Sequence, residues 1–292
     1  MTSLLRRRRT SFASNLPTPA IAVWAILVGC ALPAAAQPAP AANAGFDTYI
    51  QALENRLAEQ HRDPNTFVAR VNLPEASARL RKGELLIENL TPNPAPELPG
   101  ALLFHWRGTA FVPGASEAEF ELILRDFNAY PKYFSPQVLE VSILSRNGDH
   151  LRARMRVRQK HVITVVLDTT YDVTFGRLDP QHGYSLSRST QITEIEDAGT
   201  PKERALSPAQ AHGFLWRLNT YWTREERDGG LYLQIESVSL TRSIPTGLAW
   251  IVRPFVESIP RESLEFTLHA AVDALHKQPT VPENPDQPAP KS

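Results

Sequence analysis

The sequence predicts an α+β fold in which antiparallel strands are followed by one long helix, and three observations predict it. Leu102 to Val112 alternates bulky apolar with mixed residues at a period of two until Pro113-Gly114 stops it, as a strand does. From Val138 to Thr241 that period recurs in run after run, interrupted at Asn147-Gly148 and Asp228-Gly229, pairs that favour tight hairpins. Leu264, Leu268, Ala271 and Leu275 then share one side of a helix that runs to about His276.

The amino-terminal elements come first. Arg6 to Arg9 precede the uncharged, mostly apolar stretch Ala20 to Gly29, and Ala34-Ala35-Ala36 places small residues before Gln37. This is the order of a secretory signal peptide, expected over residues 1–36 with cleavage near Ala36 and a periplasmic or secreted mature chain. The apolar run is short for the roughly 20 residues that a membrane span needs. Leu27-Val28-Gly29-Cys30 also resembles a lipobox, so anchoring through a lipidated Cys30 is the alternative. Cys30 is the only cysteine, and cleavage after Ala36 would exclude disulfides, thiolate catalysis and cysteine metal sites from the mature chain.

Residues 37–98 read as a linker, an amphipathic helix and a short strand. Phe46, Tyr49, Ile50, Leu53 and Leu57 have helical spacing, which predicts a helix from about Gly45 to Gln60 packed on the main domain. Arg79-Leu80-Arg81-Lys82 reads as a solvated basic surface, Glu84 to Ile87 as a strand, and Thr91 to Gly100 as a Pro-rich loop. The main domain is expected over 99–277 and a disordered Pro-rich tail over 278–292.

Within the main domain, Ser116 and Glu119 form a capping box for a helix with the apolar stripe Phe120, Ile123, Leu124 and Phe127. Pro131 offsets that helix, and Tyr130, Tyr133 and Phe134 follow as a second short turn. Leu151, Ala153, Met155 and Val157 alternate with four arginines, while Asp168 and Asp172 lie across from Leu167, Tyr171, Val173 and Phe175 on the next strand. A hairpin of these strands puts arginines and aspartates on one charge-paired outer face. The inner face of Tyr184 to Ile195 is left open by its pattern, and Glu196 to Gln210 is a polar excursion.

Phe214, Trp216, Leu218, Thr220 and Trp222 are expected on one strand face. Pairing through Asp228-Gly229 sets Trp222 opposite Ile235, Thr220 opposite Ser237 and Leu218 opposite Ser239. Arg217, Tyr221 and Glu236 come near one another on the other face. That face is read as an exposed surface pair, because Phe214, Trp216 and Trp222 are each worth about 1.5–3 kcal/mol when buried; the alternative is a polar site in which Arg217 binds a carboxylate or polarises a carbonyl. Thr246 to Val256 is mostly apolar, with Trp250 and Phe255 prominent, and Pro260 is expected in the first turn of the last helix.

This order of elements, with the stretches RGTAFVPGAS, LRDFNAYPKYFSP and IPRESLEFTLHAAVDAL, resembles the START-like, polyketide-cyclase and plant-allergen superfamily (SRPBCC, Bet v 1-like) over roughly Pro99 to Lys277. The resemblance implies a helix-grip fold: a curved antiparallel sheet of about seven strands around the long last helix, here with an extra amino-terminal helix. It also implies a hydrophobic-ligand cavity between sheet and helix, with Asp126, Tyr130 and Pro131 beside its mouth. Trp106, Met155, Trp216, Trp222, Leu264 and Leu268 are then wall or core candidates. Thr220, Ser237 and Ser239 add hydroxyls to the pocket, and Trp250 and Phe255 stand where they would gate entry or touch a membrane transiently.

Other chemistry has little support in the sequence. The formal net charge of zero gives no reason to expect a nucleic-acid partner. There is no H-E-x-x-H helix, nucleophile elbow, phosphate loop or dinucleotide fingerprint, so no cofactor or metal is expected. His105 reads as a structural histidine rather than an acid or base. The leading expectation is an exported binding or carrier protein for a lipid or other hydrophobic small molecule. The alternatives are a cyclase- or hydrolase-like enzyme using the same cavity and a structural or protein-interaction domain with a filled core.

Overall fold

The computed structural model describes residues 37–160, 164–244 and 249–277, residues 249–257 by backbone alone. The expected signal peptide, Cys30, the Pro-rich tail and the side chains of Trp250 and Phe255 therefore lie outside the described residues. The helices are α1 (Pro40–Gln60), α2 (Ala76–Arg81), α3 (Glu117–Arg125), α4 (Tyr130–Tyr133) and α5 (Ala249–Lys277). The strands are β1 (Leu86–Asn89), β2 (Ala101–Pro113), β3 (Val138–Asn147), β4 (His150–Lys160), β5 (Thr164–Asp179), β6 (His182–Glu196), β7 (Arg204–Ala205), β8 (Arg217–Arg227) and β9 (Gly230–Arg242).

The strands form one antiparallel sheet in the order β1-β2-β9-β8-β6-β5-β4-β3, with β7 paired to β6. Seven are long, as expected; β1 and β7 are short additions at Leu86–Asn89 and within the polar excursion. The inner face packs on α5 and α3: Ala110, Val112, Trp222, Leu233, Ile235, Tyr171 and Val173 meet Leu264, Leu268, Ala271 and Leu275, with Phe120 and Ile123 alongside. A side chain at Gly108 would come within 3.1 Å of Leu268, so the helix lies close over β2 where the strand has none. This is the helix-grip fold that the resemblance implies.

The outer face is covered as well. Helix α1 buries Phe46, Ile50, Leu53 and Leu57 against Leu103, Tyr221, Val238 and Leu240. It begins at Pro40, inside the expected linker, because proline fits the first turn, where its missing N–H is not needed.

Several local rules act as the sequence implies. Ser116 Oγ accepts from Glu119 N at 3.2 Å, and Ser116 N donates to Glu119 Oε2 at 2.9 Å, closing the capping box. Asp228 and Gly229 have φ of 59° and 77°, as a primed hairpin turn requires, and the β8–β9 register is the one expected. Arg156 faces Asp168 at 2.8 Å, Arg152 faces Asp172 at 3.5 Å and Arg154 also reaches Asp168, giving the charge-paired outer face.

The basic patch at Arg79–Arg81 lies on α2 at the solvated surface, as expected, where Arg79 pairs with Glu84 and Arg81 with Asp228. Two expectations are corrected. Pro260 is mid-helix, since α5 starts at Ala249; the local rule sees the missing N–H but not the sheet packing that holds the turns after it. Phe214 and Trp216 precede the strand. The Glu194 carboxylate accepts from Gly213 N (2.9 Å) and Phe214 N (3.1 Å) and turns the chain there, so laddering begins at Arg217. Phe214 is left 38% exposed, stacked on His212 at 5.1 Å.

Candidate functional site

The inner face has an apolar frame and a hydroxyl-bearing centre. One row across the sheet runs Trp106, Ser237, Thr220 and Ser187, each opposite the next on β2, β9, β8 and β6. Beside it Phe104, Ser239 and Leu218 form a second row, which Ser189 joins by accepting from Leu218 N at 2.9 Å. On the other side lie Gly108, Ile235, Trp222 and Ser185. The face left open for Tyr184 to Ile195 is therefore settled: Ser185, Ser187 and Ser189 point inward. Those three serines are the site residues that sequence reasoning missed; their alternation was visible, but only pairing with Thr220 and Trp222 gives it a direction.

Burial varies across this face. Ile235, Leu233 and Trp222 are buried, whereas Trp106, Leu218, Thr220 and Ser237 are half-buried. Trp106 Nε1 and Thr241 Oγ1 are buried atoms without a hydrogen-bond partner among the described residues. Polar groups shut away from water normally find partners; Arg224 Nη1 and Glu117 Oε2 on this side, and Trp216 Nε1, Asn219 Oδ1 and Glu236 Oε1 on the outer face, are buried without one as well, and Trp106 and Thr241 are the two that flank the hydroxyl rows. Met155 is half-buried in the same core, opposite Val141 and Thr169, and Leu264 and Leu268 are core positions of α5.

Charge is confined to the margins. Arg224, two residues beyond Trp222 on the inward side of β8, is fully buried and donates to Glu117 Oε1 from Nε (3.1 Å) and Nη2 (2.8 Å). Toward the other end of β6, Glu194 is occupied by the N–H groups of His212, Gly213 and Phe214. Beside the face Tyr130 stacks on Phe127 at 4.5 Å and donates to Leu124 O at 2.8 Å, so the helix break at Asp126 to Pro131 is tied back to α3.

Trp216 does not belong to this site. It is half-buried in the outer cluster under α1, because the turn at Gly213 brings it into β8 from the other side. Arg217, Tyr221 and Glu236 are also on the outer face, but the expectation that they are exposed is wrong for two of the three. Tyr221 and Glu236 are buried beneath α1, which the strand pattern gives no means of placing there. Tyr221 donates to Glu54 at 3.0 Å, and Glu236 Oε2 is bonded by Arg56 at 2.5 Å and His105 Nε2 at 2.8 Å. His105 Nδ1 meets the Tyr49 hydroxyl at 2.8 Å, which makes His105 part of a helix-docking network. Burial alone would raise the Glu236 pKa, but His105, Arg56 and Arg107 outweigh it and hold the carboxyl below its ordinary range.

Arg217 is the third and is only partly covered, bonded to Asp47 at 3.0 Å with its guanidinium 4.8 Å from the centre of the Phe46 ring. Arg217→Ala is expected to lower stability by about 1 kcal/mol or less, as for a partly exposed ion pair, and to leave ligand uptake unchanged. Urea unfolding together with a ligand titration checks both; loss of uptake with the fold intact would put Arg217 in the site.

Acid–base groups are scarce where the hydroxyls are. His61, His105 and His182 are on the outer face, bonded or stacked to Thr223, Glu236 and Phe67, while His150, His212, His269 and His276 are exposed. No group of His, Cys, Asp and Glu among the described residues has the arrangement to hold a metal ion.

No family model and no curated protein matches this chain. Solved structures do. The chain is similar to a STAR-related lipid transfer protein from Xanthomonas axonopodis (18% identity, 63% of this chain, 97% of that one, TM-score 0.40). It is also similar to the Zhui aromatase/cyclase from Streptomyces sp. R1128 (14% identity, 60% and 95%, TM-score 0.41) and to human STARD10 (10% identity, 70% and 82%, TM-score 0.40).

Proposed function

We propose that this protein is a carrier for a largely apolar small molecule held between the inner face of the sheet and α5. The observation that carries the reading is the half-buried stretch of that face at Trp106, Leu218, Thr220 and Ser237, where Trp106 Nε1 and Thr241 Oγ1 stay unpaired. A ligand site needs apolar walls with a few polar groups, which is the composition of this stretch. Holding is favoured over transformation because the described face offers hydroxyls without a neighbouring histidine or free carboxylate to activate them. We further propose that residues 1–36 export the chain, so that the carrier works outside the cytoplasm.

Native mass spectrometry on protein purified without added ligand tests the first part. A non-covalent adduct that disappears on denaturation is the expected result; a bare chain that also takes up no lipid from a mixed extract would remove the carrier reading. The intact mass of the exported protein tests the second, with an amino terminus at Gln37 expected.

A further inference from the structure

Resting on the carrier reading, we infer that the ligand is electrically neutral and places a hydrogen-bond acceptor oxygen against Trp106 Nε1, which makes it an oxygenated neutral lipid or ring compound rather than a fatty acid or other anion. An indole N–H donates and cannot accept, so the unpaired Nε1 asks for a carbonyl, ester or hydroxyl oxygen. The hydroxyls that continue the row at Ser237 and Thr220 both donate and accept, and suit a second oxygen of the same molecule.

The case against an anion is the absence of a free countercharge among the described residues of this face. Among the described residues of β2, β9, β8 and β6, Arg224 is the inward-pointing cation; Glu117 neutralises its charge at 2.8 Å with both side chains fully buried, and only Nη1 is left without a partner. Tyr171, facing inward on β5, is held protonated, its pKa pushed up to about 12 by burial. A carboxylate or phosphate entering this face would lose its water without gaining an unneutralised charged partner among the described residues, which strongly disfavours it. A neutral ester or alcohol gives up much less water and recovers a hydrogen bond from Trp106.

The test compares monoolein, oleate at pH 8 and hexadecane as probes with the full chain, by displacement of a fluorescent apolar dye. Monoolein is expected to bind at least tenfold more tightly than oleate. Trp106→Phe keeps the aromatic body and removes the N–H. It is expected to weaken monoolein about three- to tenfold more than it weakens hexadecane, the usual worth of one neutral hydrogen bond. Oleate binding as tightly as monoolein would overturn the inference and leave the carrier reading standing; monoolein unaffected in a folded Trp106→Phe chain would overturn the role of Trp106. Failure of all three probes to displace the dye would overturn both readings. Should Trp106→Phe not fold, the monoolein–oleate ratio of the unaltered chain decides the charge question alone.

Discussion

Glu117→Ala is expected to cost about 3–5 kcal/mol of folding stability, read from the shift of a denaturant unfolding curve. Glu117 sits in the first turn of α3, and its carboxylate is the partner of Arg224 on β8, both with side chains shut off from water. Burial already pulls the Arg224 guanidinium below its ordinary pKa, and the Glu117 charge and hydrogen bonds are the main opposing influence. Removing the carboxylate strands a cation under α3, next to a core in which Phe120 packs edge-on against Trp222 at 5.2 Å. Arg177, 3.5 Å from Glu117 Oε2, is 46% exposed and can turn to water, so it adds little to the loss. Replacing both partners, Glu117→Leu with Arg224→Met, should recover most of the stability, because no charge is then left unpaired. A single Glu117→Ala cost below about 1 kcal/mol would mean that Arg224 reaches solvent.

Acid is expected to loosen the amino-terminal helix, and His61 is the group responsible. It follows the last turn of α1, buried between Phe67 and Tyr184 at 4.7 and 4.5 Å, with Nε2 on Thr223 at 3.0 Å. Burial, reinforced by Arg56 and Arg224 and opposed by Glu236, lowers its pKa from 6.5 to about 4. The unfolded chain therefore binds this proton first, and stability rises with pH across that window. His61 imposes no penalty above pH 6.5, and about 3 kcal/mol is lost as the pH falls from about 6.5 to 4, at about 1.4 kcal/mol per unit. Glu236, whose folded pKa is depressed, adds a further loss as it is protonated below its ordinary range. Burial raises Glu225 and works in the opposite direction, so the informative measurement is the difference between chains. Unfolding curves for the unaltered chain and His61→Gln, taken from pH 7.5 to 4, should converge or cross as the histidine penalty grows in one and not the other. Parallel pH profiles would show that His61 is not the sensor.

How much was legible in the sequence differs from element to element. The β8–β9 register followed from Asp228-Gly229, because a two-residue turn leaves one way to pair the strands, and with it came the correct inward placement of Trp222, Thr220, Ser237 and Ser239. The Arg/Asp face of β4 and β5 was equally plain, since strict alternation next to opposite charge has one low-energy pairing. Trp216 and Phe214 were misplaced because they continue the apolar alternation in letters while Glu194, some twenty residues earlier, captures the backbone that would have laddered.

What the sequence determined by itself is therefore whatever depends on neighbours along the chain: strand periods, the Ser116 capping box, the primed turn, the apolar side of α5 and the α+β order. The tertiary structure decided which face of β6 its serines occupy, that Tyr221 and Glu236 lie under α1 instead of in water, and that Arg224 has a partner at all. Each of these depends on a contact between residues tens to hundreds of positions apart. Chain periodicity defines two sides for every strand, but only the packing of α1 on one and α5 on the other says what each side meets.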